Sequence, residues 1–172
     1  IIRNGIELPA VKNTNQLHVS NYYEQEKEVL SPTLLFSIIT LVVTVLSVRD
    51  WLVKKRSRWL DLILFFLTGL IGFVVLFLWL GTHHSTTTNN LNILWAFAPN
   101  LILAFLIFNK KPKAWLMVYV RFLVIMLIAM AFVWIGGLQE FNTALIPIMI
   151  MLTVRYVYLW QKGLGGTRKR AF

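Results

Sequence analysis

After a polar, mixed stretch over residues 1–30, the chain alternates long apolar runs with short polar connections. The runs cover 33–48, 59–81, 91–108, 115–136 and 144–160. Each approaches the roughly 20 residues that cross a hydrocarbon core about 30 Å thick. Ser31-Pro32 reads as a helix start, with Ser as N-cap and Pro in the first turn. The first run is short but can extend into its polar flanks. The pattern predicts an all-α, polytopic membrane bundle of five transmembrane helices over 31–162, with a basic tail over 163–172.

Ahead of the bundle, Ile1-Ile2-Arg3-Asn4-Gly5-Ile6-Glu7-Leu8 reads as a β-hairpin, because Asn-Gly supplies the positive φ angles of a type I′ turn. A lone hairpin is marginal in water. It is therefore expected to be the last edge of a sheet, and residues 1–30 the end of an extracytoplasmic domain lying upstream. The stretch Lys12 to Val29 reads either as a tether or as a disordered tail. A start at Ile1 rather than Met fits a processed product or the C-terminal piece of something longer.

Composition removes the soluble alternative. Apolar residues make up 58% and charged residues 14%, with a mean hydropathy of +0.68, whereas globular domains carry about 25% charged residues. The net charge of +10 raises the possibility of nucleic acid, but the basic residues sit in short blocks between apolar runs. That arrangement reports membrane topology, and no nucleic-acid partner is expected.

The blocks also orient the bundle. One connection holds Arg49, Lys54, Lys55, Arg56 and Arg58; the next on that side holds Lys110, Lys111 and Lys113; the tail holds Lys162, Arg168, Lys169 and Arg170. The opposite connections, Thr82–Asn90 and Gly137–Thr143, contain no Lys or Arg. The positive-inside rule predicts an N-terminus outside and a C-terminus in the cytoplasm. Trp51, Trp59, Trp115 and Trp160 then fall at the inner boundary, and Trp79, Trp95 and Trp134 at the outer one, as an aromatic belt requires.

Candidate chemistry is sparse. The absence of Cys excludes disulfides, thiolate metal sites and a cysteine nucleophile within the chain. Ser37, Thr40, Thr44 and Ser47 form one helical stripe, and Thr68 with Gly72 makes a small-xxx-small pair, both suited to close helix packing. Arg121 and Arg155 lie toward the inner end of their runs. They are expected to reach lipid headgroups or an acidic group on a partner subunit, and Asp61 is placed to pair with one of them.

The most unusual stretch is the outer loop Thr82-His83-His84-Ser85-Thr86-Thr87-Thr88-Asn89-Asn90-Leu91-Asn92, polar yet uncharged. Asn100, just after Pro99, puts an amide deep in the third run, where it needs a partner. Thr82, His83, His84, Asn89, Asn92 and Asn100 are the candidates for facing substrate or lipid. The alternative is a hydrogen-bonded cap on the outer bundle. A general acid/base role for the histidines is conceivable, since His titrates near neutrality, but the chain offers no convincing nucleophile beside them. His18 is the only other imidazole, so no metal site or cofactor is expected.

Arg58-Trp59-Leu60-Asp61, the long run with Gly69 and Gly72, Leu78-Trp79, His84, Asn89-Asn90-Leu91-Asn92, Leu94-Trp95-Ala96 and Pro99 follow in an order that resembles one family. It is the C-terminal membrane half of bacterial proteins with an Lnb N-terminal periplasmic domain, several of them from Bacteroidota. The resemblance covers nearly the whole chain and is sharpest over 56–113. It implies a papain-like or NlpC-like periplasmic domain ahead of the spans, residence in the inner membrane, and a parent protein that transfers an acyl chain to a lipoprotein's N-terminal amino group or works as a thiol-hydrolase-like enzyme. The family's thiol nucleophile cannot lie in a chain without Cys. Relatives carry an acidic residue where His83 stands here, so no catalytic residue is carried over.

The resulting expectation is a membrane-anchoring, lipid-presenting module of a lipoprotein-modifying protein, itself not catalytic, whose partners are membrane lipids and a lipoprotein substrate. The rival is a structural or accessory subunit of an inner-membrane complex, partnered by other subunits. A transporter is disfavoured by the odd span count, the lack of a visible repeat, and the absence of membrane carboxylates other than Asp61.

Overall fold

The computed structural model describes residues 2–3, 6–7, 31–81, 89–110 and 112–163. The chain divides into two units, 1–30 and 31–172. In the first, β1 (Ile2–Arg3) pairs antiparallel with β2 (Ile6–Glu7), Ile2 opposite Glu7 and Arg3 opposite Ile6. The Asn4-Gly5 turn and the Lys12–Val29 stretch lie outside the described residues.

The second unit is helical. Among its described residues are α1 (Pro32–Val53), α2 (Arg58–Gly81), α3 (Asn100–Phe108), α4 (Trp115–Ile135) and α5 (Leu145–Lys162). Three of them, α1, α2 and α4, are long and apolar enough to cross a membrane. At 1.5 Å per residue they span about 33, 36 and 32 Å. Ser31 caps α1 as the sequence predicts, its Oγ accepting from the Leu34 N–H at 3.2 Å with Pro32 next in the chain.

Helix faces follow from spacing. The buried positions of α1 are Val43, Ser47 and Asp50, a single seam against α5. Thr40 reinforces that seam by donating to the Pro147 carbonyl at 2.7 Å. Most of the remaining α1 positions are exposed apolar side chains, as a helix bathed in lipid requires. By contrast, α5 is buried on two sides, by Met151, Leu152, Arg155 and Tyr156 among others, and packs against both α1 and α4.

The third apolar run is not one helix. Leu91–Leu94 forms a 3-10 turn, residues 95–99 are irregular, and α3 begins only at Asn100. With nine residues α3 rises about 14 Å, less than half the hydrocarbon core. Two causes combine. Pro99 has no N–H and cannot continue a helix arriving from its N-terminal side. Asn90 and Asn92 meanwhile bond locally: the Asn90 side-chain oxygen accepts from the Asn92 N–H at 3.1 Å and from its Nδ2 at 2.8 Å.

The irregular segment and the start of α3 lie on two glycines of α2. A Cβ on Gly69 would sit 2.0 Å from the Leu101 nitrogen, and one on Gly72 would sit 1.9 Å from the Ala96 carbonyl oxygen. Backbone lies directly on backbone there, and Trp95 and Ala96 are buried. Irregular backbone in a membrane protein is tolerated where protein covers it in this way. Nearer the amide end of the bundle, the turn also packs on α4.

Candidate functional site

The charged residues converge at the end of the bundle where α1 runs into α2. Helix α1 stops when Lys54 enters the left-handed region at φ 55°, its N–H donating to the Asp50 carbonyl. The chain then turns so that Ser57 clasps the Asp50 carboxylate, its N–H donating to Oδ2 and its hydroxyl to Oδ1, both at 2.7 Å. From α5, Arg155 enters this turn. Its Nε lies 2.6 Å from Asp61 Oδ1, and its Nη1 lies 3.0 Å from Asp50 Oδ2 and 3.3 Å from Ser47 Oγ. Nη2 donates to the Ser57 carbonyl at 3.2 Å, and the Tyr158 ring lies 4.6 Å from the guanidinium carbon. Arg56 completes the group, with Nε 3.0 Å from Asp61 Oδ2.

Two carboxylates thus face two guanidiniums, and their formal charges cancel. That matters because an unpaired ion in a low-dielectric interior costs several kcal/mol. The cluster also anchors the short α3: Arg56 donates through Nη2 to the Ile107 carbonyl and Arg58 through Nη1 to that of Phe108, at 3.4 Å. Those carbonyls belong to the last helical turn, which has no intrahelical donors and carries the negative end of the helix dipole. Burial draws the Arg56 guanidinium below its ordinary pKa, while the Asp61 carboxylate opposes that shift.

These contacts correct the expectation for Arg155. It does not reach a headgroup; it is fully buried, because its face of α5 turns toward α1 and α2. The anticipated pairing with Asp61 forms. Arg121 is exposed on α4, its guanidinium carbon 5.9 Å from the Trp160 ring.

A second polar group sits within the helices. Asn100 donates from Nδ2 to Thr68 Oγ1 at 3.0 Å and accepts from the Tyr119 hydroxyl on Oδ1. Thr68 in turn donates to the Leu64 carbonyl at 2.8 Å. The Tyr156 hydroxyl, wholly buried, lies against Thr68 and Asn100 without a hydrogen bond of ordinary geometry. Asn100 is therefore engaged internally, joining α3 to α2 and α4, and does not face substrate or lipid.

At the opposite end from the charges, Asn92 is likewise engaged. It is half-buried, accepts from Trp95 Nε1 at 2.8 Å and donates to Asn90. Asn89 is exposed, in the left-handed region at φ 57°. Across from it, Gln139 Oε1 accepts from the Leu91 N–H at 2.9 Å, tying the 3-10 turn to the α4–α5 connection. Between α4 and α5 at this end lies an apolar groove of about 410 Å³, lined by Ala131, Trp134, Ile135, Ile146, Met149 and Ile150. Thr82, His83 and His84 lie outside the described residues. Among the described residues, no group of three His, Cys, Asp or Glu could hold a metal ion.

The chain matches the family model of the Lnb transmembrane domain, designated as five transmembrane helices, over residues 24–163. The chain belongs to this family. No curated protein and no solved structure matches it. Among the described residues this Lnb transmembrane domain has five helices, the short third one following an irregular segment, and the chain is membrane-spanning.

Sequence reasoning missed several residues of these groups. Asp50 lies two positions beyond the predicted end of the first run, although it continues the seam of Val43 and Ser47. Tyr119 and Tyr156 carry no sequence signal that separates them from other aromatic positions in membrane helices, and Gln139 none that separates it from other polar loop residues.

Proposed function

We propose that this Lnb transmembrane domain anchors a periplasm-facing, lipoprotein-modifying protein in the bacterial inner membrane and presents the acyl chain that protein works on. In this reading the N-terminus is periplasmic, the C-terminus is cytoplasmic, and the amide-rich end is the working face. The Lys and Arg bias supports that orientation. The observation that carries the acyl-presenting role is the Ala131–Ile150 groove between α4 and α5. It is apolar, its Ile135, Ile146 and Ile150 are exposed, and it lies at the end where Gln139 holds the two connections together. A hydrocarbon chain fits such a wall.

The test uses the full-length protein in cells, with the N-terminal acylation of lipoproteins read by mass spectrometry. Ala131→Trp, which fills the groove, is expected to abolish acylation that depends on this protein while the variant remains folded in the membrane. Unchanged acylation with Ala131→Trp would remove the presenting role. A fixed partner co-purifying at constant stoichiometry, with no acylation change on deletion, would make the domain a structural subunit instead.

A further inference from the structure

A second groove, of about 540 Å³, runs between α1 and α5 at the charged end, walled by Val48, Trp51, Leu52, Val154, Val157 and Tyr158. Val48 and Leu52 are 53% and 74% exposed, so the groove opens sideways off the bundle. At its mouth the Lys162 ammonium sits 4.4 Å from the Trp51 ring centroid, and Trp51 stacks at a tilt on Tyr158.

The charge around that mouth is uncompensated. Arg49, Lys54, Lys55 and Lys162 are exposed, whereas Asp50 and Asp61 are 2% and 0% exposed and bound to Arg155. From residue 31 onward the sequence holds one other carboxylate, Glu140, on the α4–α5 connection at the far end. The ion cluster therefore withdraws Asp50 and Asp61 into the interior, and the exposed charges among the described residues of this end are cationic.

We propose that the α1–α5 groove is a binding site for one anionic phospholipid, with an acyl chain along Val48, Leu52, Val154 and Val157 and the phosphate on Lys162. The occupant must be hydrocarbon along the helices and anionic at their end. A phospholipid meets both demands in one molecule, and a Trp at the headgroup level suits its interfacial region. An acidic protein would satisfy only the mouth, and a second copy of the chain, cationic at the same place, would satisfy only the wall. The site is at the opposite end from the proposed acyl-presenting groove and does not depend on it.

The test is native mass spectrometry of the purified chain in detergent, titrated with phosphatidylglycerol or with phosphatidylcholine of the same acyl chains. One phosphatidylglycerol is expected to bind in preference to phosphatidylcholine. Lys162→Gln is expected to weaken it about fivefold, the loss of one cation at an anionic headgroup. Thr153→Trp, from an exposed groove position, is expected to remove it, while Lys113→Gln, elsewhere on the basic end, leaves it unchanged. Equal binding of the two lipids would overturn the proposal, as would an equal loss in Lys113→Gln and Lys162→Gln. A dimer that Thr153→Trp dissociates, with no lipid preference, would assign the groove to a second copy. Should Thr153→Trp fail to fold, the lysine pair decides alone.

Discussion

Arg155 on α5 holds Asp61 on α2 at 2.6 Å, with neither side chain exposed. The pair brings together residues 94 positions apart, and through Asp50 and Arg56 it draws in α1 and the turn after it. A buried pair is not in itself strongly stabilising, because desolvation offsets its attraction; breaking one by removing a single partner is costly. Asp61→Asn is therefore expected to destabilise the bundle by about 3–5 kcal/mol. Asp61→Asn combined with Arg155→Met keeps the cluster's net charge but leaves Asp50 without Arg155 and Arg56 without Asp61, so it is expected to be destabilised at least as much as the single variant. Unfolding free energies of the two variants in micelles check this directly.

The glycines of α2 give a second prediction. Gly72→Ala puts a methyl group where the Ala96 carbonyl already lies, and Gly69→Ala does the same against Leu101. Backbone cannot rotate out of the way, so each is expected to cost at least the 1–3 kcal/mol typical of overpacking, roughly. Gly81→Ala meets only the flexible Phe77 ring at 3.2 Å and is expected to be mild. Thermal unfolding of the three variants side by side separates the close approach from a general intolerance of alanine.

Asn100 joins three helices through two hydrogen bonds, yet bonds between membrane helices are modest. Asn100→Leu is expected to lose about 1–2 kcal/mol, and Tyr119→Phe, which removes one of those bonds, about 0.6. A larger loss in Tyr119→Phe than in Asn100→Leu would show that Tyr119 has a role besides this contact.

Orientation is open to a direct test because the chain has no Cys. Glu140→Cys is expected to react with a membrane-impermeant maleimide added outside spheroplasts, and Lys113→Cys only after lysis. The reverse labelling pattern would invert the proposed topology.

Much of this architecture was legible in the sequence because lipid imposes a simple rule: long apolar runs become helices. The long helices follow from that rule, the Ser31 cap from N-cap chemistry, and a partner for Asp61 from the cost of an unpaired ion, though the choice between Arg121 and Arg155 did not. The broken third run was less legible, although Pro99 marks it. Apolarity sets how much of the chain lies in the bilayer but leaves backbone geometry open, and the Gly72 and Gly69 contacts under the irregular segment and the start of α3 come from another helix. Arg155 shows the same limit. Its depth was readable from position in the run, but the side of α5 it occupies depended on Asp50, at the end of a helix longer than its apolar stretch. Asn100 looked as available as Asn92 until contacts from two other helices engaged it.

In the proposed function the charged cluster is structural and the opposite end presents the acyl chain. The most direct measurement is lipoprotein acylation per folded molecule of the full-length protein, compared between the Asp61→Asn/Arg155→Met pair and Ala131→Trp. The prediction is near-normal acylation in the charge-neutral double variant and its loss when the groove is filled. Loss in the double variant with retention in Ala131→Trp would move the working site to the ion cluster and contradict the account.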